Sequence, residues 1–380
     1  MERLIIKAKS LKTPKQVLHD KLLIISQGII EDILPWSKAG SFSDKEFVAD
    51  QEYQVFPGLM DIHCHGGLGV MPDSLANIIK LSEFYTRGGT TSVVLSVFFN
   101  SLEKFAQVVE LIKIARNKVA LNLLGLHLEG PFLNPDFCGS IPNKYIKEPD
   151  MKLARQIVEI GKSELRIITL APELLQINKL VRYFKSQGII VSLGHSQATA
   201  EQTKQSLLAG ASLITHLGNA MRPFHQREVG IMGQALLEKD LAIELIVDGY
   251  HLSPEAVRVF EQAKSGDLII VSDSSWAAGL PKGKYKHSSW GEVEVSSNAV
   301  RDKNGYLAGG FLPLLSGVRN MAEILGVSLA EVINLATSNP AKLLGQNKLV
   351  EIRRGNLANL ILLNYQYKLE KVIIRDRVVR

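Results

Sequence analysis

Residues 57–67 read Pro-Gly-Leu-Met-Asp-Ile-His-Cys-His-Gly-Gly. An apolar run closed by a His-x-His pair is a strand that delivers two imidazoles to one face, because side chains on an extended chain alternate with period two. Cys64, between the histidines, then points away and reads as a small buried hydrophobe. Working outward, similar β-rich runs fall at 54–62, 91–97, 121–128, 165–170, 188–193, 211–215, 242–247 and 267–271. Segments with apolar residues every three or four positions separate them, such as 75–87 and 102–117. Most of the strands are nearly all apolar, as a parallel sheet covered on both faces requires. Eight strand–helix units in about 300 residues match the size of a (β/α)8 barrel. The competing doubly wound open sheet is disfavoured, since no G-x-G-x-x-G follows an early strand. The sequence thus predicts a TIM-like (β/α)8 barrel over residues 53–347.

The two ends of the chain read differently. Residues 1–52 and 348–380 are short apolar runs cut by turns, among them Leu4-Ile5-Ile6, Gly28-Ile29-Ile30 and Leu360-Ile361-Leu362-Leu363. Short strands at close spacing predict a small β-sandwich, and neighbouring termini allow both ends to build it. A chain of 380 residues, 46% hydrophobic and 22% charged, is large enough for a barrel with such an appendage. That composition excludes collagen-like and disordered classes.

No apolar stretch reaches the roughly 18 residues of a membrane span, so no membrane partner is expected. Residues 4–6 are too short a run for the core of a signal peptide. Two cysteines, Cys64 and Cys138, cannot make a disulfide framework, and a reducing cytoplasm is the expected location. The net charge of +6 is scattered, without a basic helix or zinc knuckle, so no nucleic-acid partner is expected.

Barrel chemistry collects at the C-terminal ends of the strands. Here those ends carry Asp61, His63, His65, His127, Glu129, His195, His216, Asp248, His251 and Asp273. Of nine histidines, only His19, His225 and His287 lie elsewhere. Imidazole and carboxylate suit borderline cations such as zinc, so His63, His65, Glu129, His195 and His216 form a candidate set for one or two divalent ions. Asp273 ends the last strand and is the natural base toward a metal-activated water, with a helix N-cap as its alternative role. Arg227 and His251 together offer donors for an anion. Alone, Arg227 reads as a surface charge paired with Glu228.

These segments resemble the amidohydrolase superfamily and, within it, the N-acetylglucosamine-6-phosphate deacetylases. The resemblance rests on PGLMDIHCHGG (57–67), GLHLEGPFLNP (125–135), LGHSQATAEQ (193–202), GASLITHLGNAMRPFHQREVG (210–230), DGYH (248–251), SDSSWAAGLPKGKY (272–285) and LAGG (307–310). It implies metal binding by Glu129, His195 and His216, a second site completed by His63 and His65, and Asp273 as acid–base. It implies one or two divalent ions, zinc foremost, with iron, manganese or cobalt as alternatives. The backbone at Asn219 and Ala220 would meet the sugar, Arg227 and His251 the phosphate, and the Leu307-Ala308-Gly309 turn would close the pocket. The implied reaction is deacetylation of a small amino-sugar phosphate by a homodimer in which a neighbour could reach the phosphate.

The chain departs from that family in places. A Gly-Ala-His segment whose histidine touches substrate is replaced by Gly139-Ser140-Ile141, and the usual Ala-Gly-Ser by Ala308-Gly309-Gly310. An amidohydrolase acting on another amide or a cyclic ureide, and a non-catalytic scaffold of the same fold, are the alternatives.

Overall fold

The computed structural model describes residues 3–48, 51–264, 266–297 and 299–379. The chain opens with β1 (Arg3–Lys12), β2 (Val17–Ser26) and β3 (Ile29–Pro35), followed by β4 (Tyr53–Pro57). Eight parallel strands come next: β5 (Leu59–Cys64), β6 (Thr90–Phe98), β7 (Asn122–Glu129), β8 (Leu165–Leu170), β9 (Ile190–Leu193), β10 (Leu213–Ile214), β11 (Ala242–Leu245) and β12 (Leu268–Ile270). Helices α1 (Leu75–Arg87), α2 (Leu102–Ala115), α3 (Met151–Gly161), α4 (Ile177–Ser186), α5 (Ala200–Ala209), α6 (Gly230–Leu237), α7 (Pro254–Ala263) and α8 (Leu314–Leu325) pack around them. A three-stranded antiparallel flap, β13 (Gly283–His287), β14 (Gly291–Val295) and β15 (Val300–Asp302), is inserted between β12 and α8. β16 (Asn359–Leu363), β17 (Leu369–Ile374) and β18 (Arg377–Val378) complete the chain. No single helix among the described residues is long and apolar enough to cross a membrane.

Strands from both ends join one seven-stranded sheet in the order β18-β17-β16-β4-β1-β2-β3. It is antiparallel apart from the β1–β4 pair. Its apolar face, including Ile6, Leu23, Val55, Leu360 and Ile373, makes a core of its own. Ile361, Leu363, Val372 and Ile374 instead join the barrel's outer core and fasten the sheet to it.

One expectation is corrected here. Residues 54–62 are not one strand: β4 belongs to the terminal sheet, and the first barrel strand starts at Leu59. The sheet from the termini therefore extends past the boundary expected at residue 52. The break lies at Gly58, whose amide donates to Asn359 O at 2.9 Å. A Cβ at this position would lie 2.2 Å from Thr91 Cγ2, so only glycine lets the chain pass from sheet to barrel here.

The barrel interior is layered, because every second residue of a strand points inward. Met60, Val94, Ile167, Leu213 and Ile269 fill the lower layer. Above them Ser96, His127, Thr169, Ser192 and Thr215 form a fully buried polar layer. His127 Nε2 lies 2.7 Å from Thr169 Oγ1, which lies 2.9 Å from Thr215 Oγ1. The candidate ligands stand above this layer at the strand ends, Glu129 two residues beyond His127 on β7.

β12 and β5 close the ring through their ends. Asp273 N donates to His63 O at 2.8 Å, and the amides of His65 and Gly66 donate to Ser274 O at 2.9 and 3.0 Å. The seam of the barrel is thus made by the very residues whose side chains enter the site.

Gly58→Ala is expected to cost about 2 kcal/mol by forcing Thr91 aside. Urea unfolding reads this, and Thr91→Ala in the same chain should restore part of the loss. An unchanged midpoint for Gly58→Ala would show that the junction is not tight.

Candidate functional site

Glu129, at the inward-facing end of β7, gathers the imidazoles. Its Oε1 lies 2.9 Å from His195 Nε2, 3.2 Å from His216 Nε2 and 3.4 Å from His63 Nε2, and its Oε2 lies 3.3 Å from His65 Nε2. Asp273 Oδ1 lies 3.5 Å from His63 Nε2 and 3.4 Å from His65 Nε2. Two sets, His63–Glu129–His216 and His63–His65–Asp273, each bring their ligand atoms within 4.8 Å of one another. All of these side chains are buried. Cys64 is buried too and joins the barrel's outer core, its Sγ 3.8 Å from the Val94 carbonyl oxygen, as its place between the two histidines requires.

Hydrogen bonds fix the tautomers. His195 Nδ1 lies 3.0 Å from the Phe137 carbonyl, which can only accept, so that nitrogen carries the proton and Nε2 presents a lone pair to the site. His63 Nδ1 is held at 2.9 Å by Glu244 Oε2 in the same way. A carboxylate or carbonyl behind a histidine is the usual support of a metal-ligating imidazole.

The backbone adds a second signature. His195, His216 and Asp273 adopt φ of 51°, 27° and 45°, a region costly for residues with a side chain. Such strain collects where function dictates the direction of a side chain. Asp273 caps no helix among the described residues, so the N-cap role is not found.

The charge balance calls for a cation. Burial opposes ionisation of Glu129, but the imidazoles of His195 and His63 hold its carboxyl well below the usual range. Burial likewise opposes charge on His63, yet Glu244, Glu129 and Asp273 raise its pKa well above an ordinary imidazole. Three carboxylates around one histidine are tolerable in a dry interior only with positive charge between them. Nitrogen and oxygen donors in this pattern fit a divalent ion with room left for water or substrate.

A cavity of about 660 Å³ opens over this cluster. His65, Glu129, His195, His216 and Asp273 form its floor, and Asn219, Ala220, His251, Leu307 and Gly309 its sides. His251 is oriented by Asp248, with Nδ1 2.8 Å from Oδ2. Two expected contacts are absent from the lining. Ala308 is fully buried in the apolar cluster that includes Trp276 and Trp290 and does not line the cavity. Arg227 is exposed on the loop after β10 and does not share the cavity with His251. It has no ion pair with Glu228, whose carboxylate instead accepts from the amides of Ala200 and Gly230 at 2.9 and 3.0 Å.

The model for the amidohydrolase family matches residues 54–379. The chain belongs to the amidohydrolase family. Among its relatives, this amidohydrolase is 32% identical to an N-acetylglucosamine-6-phosphate deacetylase of Bacillus subtilis, covering 99% of this chain and 97% of that protein. It is 31% identical to an N-acetylgalactosamine-6-phosphate deacetylase of Escherichia coli O157:H7, covering 98% of each. A solved N-acetylglucosamine-6-phosphate deacetylase from Pasteurella multocida superposes with a TM-score of 0.91 at 28% identity over 99% of both chains.

Sequence reasoning passed over Glu244. The signal was present: it is the lone charge inside the apolar run Leu241–Val247, and a buried charge implies a partner. Trp290 and Arg301, which reach the cavity from the flap, carried no comparable signal.

Asp61 Oδ1 accepts from His63 N and Ser272 N, both at 3.3 Å, while Oδ2 has no partner among the described residues. Burial pushes its carboxyl up to about 6. The native state therefore holds this proton better than the unfolded chain does. The resulting stability is full below about pH 4 and is lost as pH rises through 6. In chelator-treated protein, Asp61→Asn should gain up to about 3 kcal/mol over the parent at pH 8 and almost nothing at pH 4. Urea titrations at the two pH values check this, and an equal change at both would contradict it.

Proposed function

We propose that this amidohydrolase removes the acetyl group of N-acetylglucosamine 6-phosphate, or of a closely related N-acetyl amino-sugar phosphate, giving the free amine and acetate. The observation that carries the reading is the convergence of Glu129, His195 and His216 with Asp273 on the floor of one cavity that His251 also lines. The two curated relatives support it, differing from each other only in the hexosamine named.

Glu129, His195 and His216 would hold one divalent ion and His63 with His65 a second, zinc before iron, manganese or cobalt. Bound there, the metal supplies carbonyl polarisation and a water acidic enough to ionise near neutral pH. The chain's own residues do the rest. Burial opposes charge on Asp273, but His63 and His65 hold its carboxyl down to about 2, so it is ionised at neutral pH and can accept a proton from water. The same carboxyl then delivers that proton to the departing nitrogen. Asn219 and Ala220 border the space for the sugar, and His251, braced by Asp248, presents Nε2 to the phosphate. Arg227 lies outside its own chain's cavity, and we assign it to the phosphate in the adjoining subunit of a homodimer. Phe224, exposed beside it on the same loop, gives that contact apolar surface.

Asp273→Asn should retain the metal content of the parent and lower kcat by ~10³-fold or more. Amine release and elemental analysis on the same preparation decide it, and retained turnover would remove Asp273 from the chemistry. Arg227→Ala should raise KM for N-acetylglucosamine 6-phosphate by ~10-fold or more while leaving unphosphorylated N-acetylglucosamine unchanged. Equal effects on the two sugars would end the phosphate assignment.

A further inference from the structure

Trp290 stands at the hairpin between β13 and β14, within the inserted flap. It is only 8% exposed, and the residue it meets at the site is His65. Their ring centroids are 5.2 Å apart with planes at 90°. Behind it Phe98 packs edge-on at 5.2 Å, and its indole Nε1 donates to Ser140 Oγ at 3.1 Å. Ile141 shares the same apolar cluster and lines the same cavity. Together Trp290 and Ile141 make an apolar wall of the cavity.

The barrel's geometry says which end of a substrate meets that wall. In a ring of eight strands, β5, β6 and β7 stand opposite β9, β10 and β11. His65 and Phe98 lie at the ends of β5 and β6, and Trp290 packs on both. The loop after β7 passes His195 and Ala220 at Gly139. Its next residues return to this side, where Ser140 accepts from Trp290 and Ile141 joins Trp290 and Phe98 in one apolar cluster. Asn219 and Ala220 follow β10, and His251 follows β11. With the scissile carbonyl over the central ligands and the anionic sugar toward His251, the acyl substituent extends to the opposite side. There it meets Trp290 and Ile141.

We infer that Trp290 and Ile141 are specificity-determining residues that form the acyl pocket and restrict this enzyme to short, unbranched, apolar N-acyl groups. The inference rests on the deacylase reading above. Trp290 sets the length of the pocket, because its ring is braced by Phe98 and Ser140 and has no room to retreat. A pocket of this kind discriminates against each additional methylene by about 10-fold or more. Removing the indole should therefore change the order of preference among acyl groups and not merely the overall rate.

The experiment compares kcat/KM for N-formyl, N-acetyl, N-propionyl and N-butyryl glucosamine 6-phosphate in the parent, Trp290→Ala and Trp290→Phe, with the metal content of each preparation measured. The expected result is a steep fall beyond acetyl in the parent. In Trp290→Ala the butyryl-to-acetyl ratio should rise by ~10-fold or more, with Trp290→Phe intermediate. Trp290→Phe keeps an aromatic ring in the cluster, so the comparison survives if the alanine variant does not fold. A parallel loss toward all four compounds in both variants would reduce Trp290 to a structural anchor and overturn the inference. A metal-loaded parent that releases amine from none of the four would instead overturn the deacylase reading itself.

Discussion

Glu129 is 4% exposed and lies within 3.4 Å of imidazole nitrogens from four histidines carried on three other parts of the barrel rim. A carboxylate so far from water is costly unless positive charge meets it, and the penalty falls on the whole fold if that charge is missing. The arrangement therefore constrains everything around it. Strands separated by more than sixty residues must end at one level, their last side chains must turn inward, and the imidazoles must present Nε2. The left-handed backbone at His195, His216 and Asp273 is the local strain that this convergence demands.

The layers beneath make that geometry rigid. An apolar floor excludes water from the lower barrel, and the buried hydroxyl and imidazole groups above it are tied together, with His127 joined to Ser96 and Thr169. Glu244 then reaches up from β11 to hold His63, while its Oε2 also accepts from His216 N at 3.2 Å. One buried carboxylate so orients a side chain from the first barrel strand and the backbone of the sixth. Above the floor, the flap and the loop after β7 supply the walls, which can change without disturbing the candidate ligands. Ile141 and Trp290 belong to those walls.

The strand ends were legible because two signals coincide there, period-two alternation and a polar residue closing an apolar run. That is why His63, His65, Glu129, His195, His216 and Asp273 could be read as neighbours although they span more than half the chain. The break at Gly58 was not legible, since its cause is the Thr91 side chain, which arrives only when the barrel forms. The inward reach of Trp290 was hidden for a similar reason: nothing in a hairpin of alternating polar residues states which way it folds over the barrel. Arg227 shows the converse limit. Its chemistry suited an anion, but proximity in sequence to the strand end did not place it in the same cavity as His251.

The most direct test of the account is to locate metal in protein purified without chelator, by elemental analysis together with anomalous diffraction at the absorption edge of the metal found. The account predicts at least one divalent ion per chain, in contact with Glu129, His195 and His216. Protein that contains no divalent metal, and gains none when equilibrated with zinc, would contradict it.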